Sequence, residues 1–176
     1  MALANPLDRY LTCALCGLHE YRRNVVLGRG TIPAPVLLIG EAPGRMEDMR
    51  GRAFVGPAGR WLNALIEAAG GICGRVPPYY VTNVVACRPT DWRHGDNREP
   101  TQEECLACRP RLATTVALVK PERVVFLGET AEHEGKAVCP DGVRTYHPSH
   151  LMRLKSRRTA QWARTVRDLA AVFAAV

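Results

Sequence analysis

The chain has 176 residues, a length that suits one α/β domain over residues 1–176, and its 47% hydrophobic and 23% charged content is ordinary for a soluble globular protein. No apolar run approaches the roughly 18 residues of a membrane span, and the N-terminal MALANPLDRYLT carries Asp8 and Arg9 where a secretory peptide has its apolar core, so a cytoplasmic, monomeric protein is expected. Lys+Arg 24 against Asp+Glu 17 leaves +7, a surplus that favours polyanionic partners and says nothing about fold.

In chain order, residues 1–30 hold a CxxC pair, Cys13 and Cys16, followed by a short basic segment without helical period. Val36 to Ile39 is an apolar run that stops at Gly40 and gives way to Glu41, Ala42, Pro43 and Gly44, the pattern of a buried strand ending in a tight turn. Sites in open α/β sheets form beyond the carboxyl ends of strands, so Glu41 is a candidate catalytic carboxylate. Phe54, in the glycine-broken stretch before Gly56 and Gly59, is placed to floor a pocket or to pack in the core. Trp61, Leu62, Leu65, Ile66 and Ala69 then fall at helical spacing, with Gly70 and Gly71 expected to end the helix.

YYVTNVV, ending near Cys87, reads as a second buried strand carrying one amide, Asn83, which must find a partner in the backbone or in a ligand. Arg88 to Pro100 reads as an exposed loop, and Thr101 with Glu104 as a capping box opening a helix that carries Cys105 and Cys108 and closes before Pro121. RVVFLG at 123–128 is the third strand, Thr130 to Gly142 a polar connection, and VRTYHPSH a fourth β-like run that delivers His147. Trp162, Val166, Leu169, Ala170 and Phe173 line one face of a C-terminal helix, preceded by Arg153, Lys155, Arg157 and Arg158. Four strands alternating with helices predict a three-layer α/β fold around a central, four-stranded, mostly parallel sheet.

Seven cysteines in a chain of this kind argue for metal, cluster or redox chemistry more than for a disulfide framework. Zinc held by the pairs Cys13–Cys16 and Cys105–Cys108 is one solution. An iron-sulfur cluster on Cys13, Cys16, Cys87 and one of the later pair is another, and spacing does not choose between them.

Taken together and in order, GEAPGRMED, GRAFVGPAG, YVTNVVACRP, NREPTQEE, ACRPRL, VVFLG and TYHPS resemble the family 4 uracil-DNA glycosylases, iron-sulfur members of the uracil-DNA glycosylase superfamily. The resemblance covers most of residues 10 to 155. It implies that Glu41 positions or activates the hydrolytic water and that His147 stabilises negative charge on O2 of the departing base. Gly40, Ala42, Phe54 and Asn83 would bind the uracil, Phe54 by stacking and Asn83 by reading the base edge. A 4Fe-4S cluster would sit on Cys13, Cys16, Cys87 and Cys108, leaving Cys105 a spare on a helix face. The partner is uracil-containing DNA, with Arg153, Lys155, Arg157 and Arg158 placed to hold its phosphates.

Three departures qualify the resemblance. The loop from Arg88 looks longer around Asp91 to Gly95, adding Trp92 and His94, and the connection from Thr130 to Tyr146 looks shortened, as if a helix or strand were missing. Pro57 in GPAG is shared with a related branch that bonds covalently to uracil through a histidine; His94 lies in the corresponding region, although glutamine is replaced by Ala42. Covalent capture through His94, or non-catalytic DNA binding on the same fold, are therefore the alternatives to hydrolysis.

Overall fold

The computed structural model describes residues 5–176. Its centre is β2 (Val36–Gly40), buried along its whole length, as expected of a strand of unbroken VLLI. β2 pairs in parallel with β3 (Tyr79–Asn83) on one side and β4 (Arg123–Leu127) on the other, so Leu38 lies opposite both Val81 and Val125. β5 (Val143–Thr145) adds in parallel to β4. A two-residue strand, β1 (Arg29–Gly30), closes the other edge antiparallel to β3 and makes the order β1-β3-β2-β4-β5. The sheet thus has five strands where the sequence suggested four. Two residues inside a basic segment carry no alternation for a pattern to detect.

Alternate side chains of the strands build two cores. Val36, Leu38, Val81 and Val125 face α2 (Pro57–Cys73) and α6 (Ala160–Ala174), meeting Leu62, Leu65, Leu169 and Phe173. Leu37, Ile39, Tyr80 and Phe126 face α3 (Gln102–Val119) and α4 (Glu129–Gly135), meeting Leu112, Val119 and Ala131. The three-layer α/β expectation therefore holds. The short helices α1 (Arg45–Arg50) and α5 (Pro148–Arg153) sit where the chain turns beyond β2 and β5. Two 3-10 turns, Asp8–Tyr10 and Gly17–Glu20, flank the first cysteine pair.

Several boundaries differ from expectation. α2 begins at Pro57, whose missing N–H costs nothing in a first helical turn, and it runs through Gly70 and Gly71 to Cys73 before Gly74 ends it in a left-handed cap. Glycine weakens a helix by only about 1 kcal/mol, and the face carrying Leu65, Ile66 and Ala69 packs against α6 and holds it. The polar connection Thr130–Gly142 is partly helical, since α4 covers Glu129–Gly135, and β5 follows it directly. The capping box at Thr101 and Glu104 is formed as expected. Arg88 and Thr90 at the start of the expected exposed loop are buried, 4% and 1% exposed.

Candidate active site

The carboxyl ends of β2, β3, β4 and β5 open onto a cavity of about 610 Å3 lined by Glu41, Ala42, Phe54, Asn83, Leu127, Gly128 and His147, among others. Glu41 is the first residue after β2, Asn83 the last of β3, and His147 the second residue after β5. Parallel strands in register bring these three chain-distant residues together, and the crevice beyond their carboxyl ends is where such sheets bind ligands.

Asn83 is 1% exposed, and its Oδ1 is buried without a hydrogen-bond partner. A buried polar atom left unpaired costs about 1–3 kcal/mol, so an acceptor aimed at a cavity is a place where a ligand donor binds well. The floor is tight around it. A Cβ on Gly40 would stand 2.5 Å from both Asn83 Oδ1 and Phe54 Cζ, so only glycine permits the strand, the amide and the ring to approach this closely.

Phe54 has φ +53°, a left-handed conformation uncommon for a bulky residue. Its neighbours hold it there. The buried Glu47 carboxylate accepts from Val55 N at 2.9 Å and Gly56 N at 2.7 Å, and Arg29 Nε donates to Ala53 O at 2.8 Å. The ring lies 6.2 Å from the His147 ring, centroid to centroid, tilted by 39°. Strain kept by surrounding structure at the edge of a cavity is common at ligand sites.

His147 is the N-cap of α5, with Pro148 in the first turn, and its Nδ1 accepts from Ser149 N at 3.1 Å and lies 2.7 Å from Ser149 Oγ. Burial, helped by the nearby Arg153 charge, pushes the imidazolium down to about 4. At neutral pH the ring is therefore uncharged, and because Nδ1 accepts from a backbone amide, the proton resides on Nε2. The sequence His-Pro-Ser thus builds a neutral donor with a fixed tautomer. Glu41 is part-buried; burial pushes its carboxyl above the ordinary range, a hydrogen bond from Thr130 opposes this, and the Glu99 carboxylate adds to it.

These groups make a slot for a flat ring that offers a donor to Asn83 and an acceptor to His147, with a carboxylate beside it. Residues 27–170 match the Uracil DNA glycosylase superfamily. The chain belongs to this family. It is 37% identical over 166 residues to the type-4 uracil-DNA glycosylase of Thermotoga maritima, an alignment spanning 85% of this chain and 82% of that protein. The type-4 uracil-DNA glycosylase of Pyrobaculum aerophilum is 37% identical over 169 residues, 83% of this chain and 82% of its own. That of Saccharolobus solfataricus is 38% identical over 121 residues, 69% and 53%.

Against this superfamily frame, Gly40, Glu41, Ala42, Phe54, Asn83 and His147 are brought together or into direct contact. His94 is not: it is exposed, its ring stands 6.2 Å from that of Trp92, and it is not among the cavity-lining residues. Of the basic run, Arg153 reaches the cavity, whereas the Arg157 guanidinium lies 5.4 Å over each of the Trp61 and Trp162 rings, and Lys155 and Arg158 are exposed. Sequence reasoning missed Asn97, Arg98 and Glu99, which line the cavity from the loop before α3. The signal was present in part, since the Glu104 of the capping box also receives Arg98 Nη2 at 2.7 Å and so ties that loop to the helix start.

Cys13, Cys16, Cys87 and Cys108 line one small cavity with Arg22, and all are free thiols. Ala86 N donates to Cys108 Sγ at 3.3 Å and Arg22 Nη1 to Cys87 Sγ at 3.6 Å, contacts that favour anionic sulfur. Burial nevertheless pushes the Cys87 thiol up to about 12. Four thiols with N–H donors around them are a donor set that fits an iron-sulfur cluster. Cys105, on α3, stands outside this set. It is buried at 3% exposure in an apolar cluster with Leu112, Cys139 and Cys108 and does not line the cavity shared by Cys13, Cys16, Cys87 and Cys108, so the two CxxC pairs do not converge on one zinc site. Among the described residues no three His, Cys, Asp or Glu converge on a single ion. No helix among them is long and apolar enough to cross a membrane.

Proposed function

We propose that this chain hydrolyses the N-glycosidic bond of uracil in DNA and leaves an abasic site. The unpartnered Asn83 Oδ1 carries the reading. Uracil offers N3–H to this acceptor and O4 to the amide NH2, whereas cytosine presents the reversed pattern at the same two positions. The base reaches the slot only by leaving the DNA stack, which costs a few kcal/mol, and stacking on Phe54 returns about 1–3 of that. As the bond breaks, negative charge grows on the leaving base, and the Nε2–H of neutral His147 donates to O2 where that charge appears. Glu41, ionised above its raised pKa, orients the attacking water on the sugar side.

The DNA strand itself is held by positive charge beside the slot. Arg153 lines both the base cavity and a second one of about 400 Å3, in which Arg144 and Arg164 join it. Arg153, Lys155, Arg157 and Arg158 would then follow the phosphates from that cavity outward. Cys13, Cys16, Cys87 and Cys108 would hold a 4Fe-4S cluster, which would cross-link the N-terminal segment to the stretch after β3 and to α3. No step of the hydrolysis passes through it.

Incubation with a uracil-containing oligonucleotide tests the activity. Hydrolysis gives an alkali-cleavable product, and an SDS-stable shifted band in its place would mean covalent capture instead. Anaerobically purified protein is expected to contain about four iron and four sulfide. Cys87→Ala should lose both and Cys105→Ala keep both; a colourless parent carrying stoichiometric zinc would refute the cluster.

A further inference from the structure

Arg111 is the largest fully buried side chain of the described residues, 2% exposed, and no carboxylate among them pairs with it. Its Nη2 donates to the carbonyls of Asn83 and Val84, both at 2.6 Å, and to Cys108 Sγ at 3.6 Å. Nη1 donates to Thr82 Oγ1 at 3.0 Å, and Nε has no partner. A buried cation is tolerated when an anion balances it, and carbonyl dipoles alone do not supply a net charge. Of the groups that Arg111 contacts, the sulfur of Cys108 is the one that can carry negative charge, which it does when it binds iron.

We propose that Arg111 is a positioning residue, balanced by the anionic sulfur of the cysteine site, that locks the end of β3 and hence the Asn83 amide in its base-reading position. This rests on the cluster assignment made above. The connection continues past Arg111. The two residues whose carbonyls it holds lie where β3 clasps the glutamate turn: Val84 N donates to Gly40 O at 2.8 Å and Val85 N to Glu41 O at 3.2 Å. One guanidinium therefore links Cys108 to both Asn83 and the backbone of Glu41, and α3 carries both Cys108 and Arg111, one turn apart. The cysteine site and the base slot form one cooperative unit through it.

Hydrogen exchange on the parent protein tests this without mutation. Removing iron with a chelator should lower protection at least tenfold for the amides of Val84 and Val85, while amides in the middle of α2 and α6 keep theirs. Unchanged protection at 84 and 85 in protein that had carried iron overturns the link, as does a uniform loss throughout the fold, which would mean global unfolding only. Parent protein purified with no iron also overturns it, since the guanidinium then has no anion, and identifies the cluster assignment as the point of failure. The substitution arm reads the cluster itself. Arg111→Met should retain iron but shift the reduction potential to more negative values, because a cation beside Cys108 favours the extra electron; Arg111→Lys should restore part of that shift. A potential identical in all three proteins contradicts charge balance at Cys108.

Discussion

Each end of the parallel strands borders a cavity, and the two ends differ in kind. Beyond the amino ends of β4 and β5 a space of about 850 Å3 is lined by residues such as Val116, Pro121, Cys139, Val143 and Ala171. Two amides on its lining are paired, Glu122 N and Arg123 N both donating to Pro35 O, at 2.9 and 3.0 Å, and among the described residues no buried side-chain atom without a partner lies on it. Beyond the carboxyl ends, the smaller space of about 610 Å3 holds a buried acceptor with no partner, an imidazole kept neutral and a phenylalanine in a left-handed backbone. Volume is therefore a poor guide to function here. Unmet hydrogen-bonding capacity and held strain are the better ones, because both are costs that binding can recover.

The sharpest way to break the comparison is to remove the two groups to which the proposed hydrolysis assigns chemical roles. His147→Ala should lower the single-turnover excision rate roughly 100- to 1,000-fold, the usual loss for one donor to a developing anion. Glu41→Gln should lower it roughly 100- to 10,000-fold if the carboxylate handles the water. In both cases affinity for uracil-containing DNA should stay within a few-fold, since these contacts strengthen only as charge develops. Rates within a few-fold of the parent for both variants would remove the carboxyl-end cavity from the chemistry.

Much of that cavity is visible in the sequence, and the reason is topological. A parallel strand buried on both faces is a largely apolar run, so the polar residue that ends it is conspicuous: Glu41 after VLLIG and Asn83 within YVTNVV. β2, β3 and β4 are legible by this signal, whereas β5, VRT with only Thr145 buried, is legible only as a short β-like run ahead of His147. β1 is not, because two residues carry no period, and α4 is hidden because ETAEHEG is polar on most of its positions and packs through little more than Ala131. Glu47 and Arg111 are also illegible, the first a buried cap for two amides and the second a buried cation, since sequence patterns place charged residues on the surface. The arginines of the second cavity illustrate the other limit: Arg144 and Arg164 lie twenty residues apart on β5 and α6 and line one space only because α6 packs beside β5.

A smaller effect tests the electrostatic half of the contrast. His147 titrates near 6.5 when unfolded and is pushed down to about 4 in the fold, so between these values the unfolded chain binds more protons than the native one. Stability from this group is fully present above about pH 6.5 and is lost as pH falls toward 4, by on the order of 3 kcal/mol in total. Glu41, whose carboxyl is raised, acts with the opposite sign, so the parent alone would mix the two. Comparing urea unfolding of the parent and of His147→Ala at pH 7 and pH 4.5 isolates the histidine. The parent should lose more stability on acidification than the variant does. Equal losses would mean that the ring is not held neutral by burial.

The smallest expected effect lies at the other end of the sheet. Ala171 sits on the exposed side of α6 and faces the larger cavity, so Ala171→Leu adds apolar volume to that space without displacing a hydrogen bond. Leucine and alanine are both good helix formers, and a surface change of this type alters stability by no more than about 0.5 kcal/mol. Excision rate and DNA affinity should both stay within twofold of the parent, because the strands that connect the two ends are packed on both faces and offer no second arrangement for a change at one end to select. A tenfold loss of rate, with the melting transition unmoved, would show that the amino-end cavity communicates with Asn83 and His147, and the contrast between a reactive and an inert end of the same strands would have to be given up.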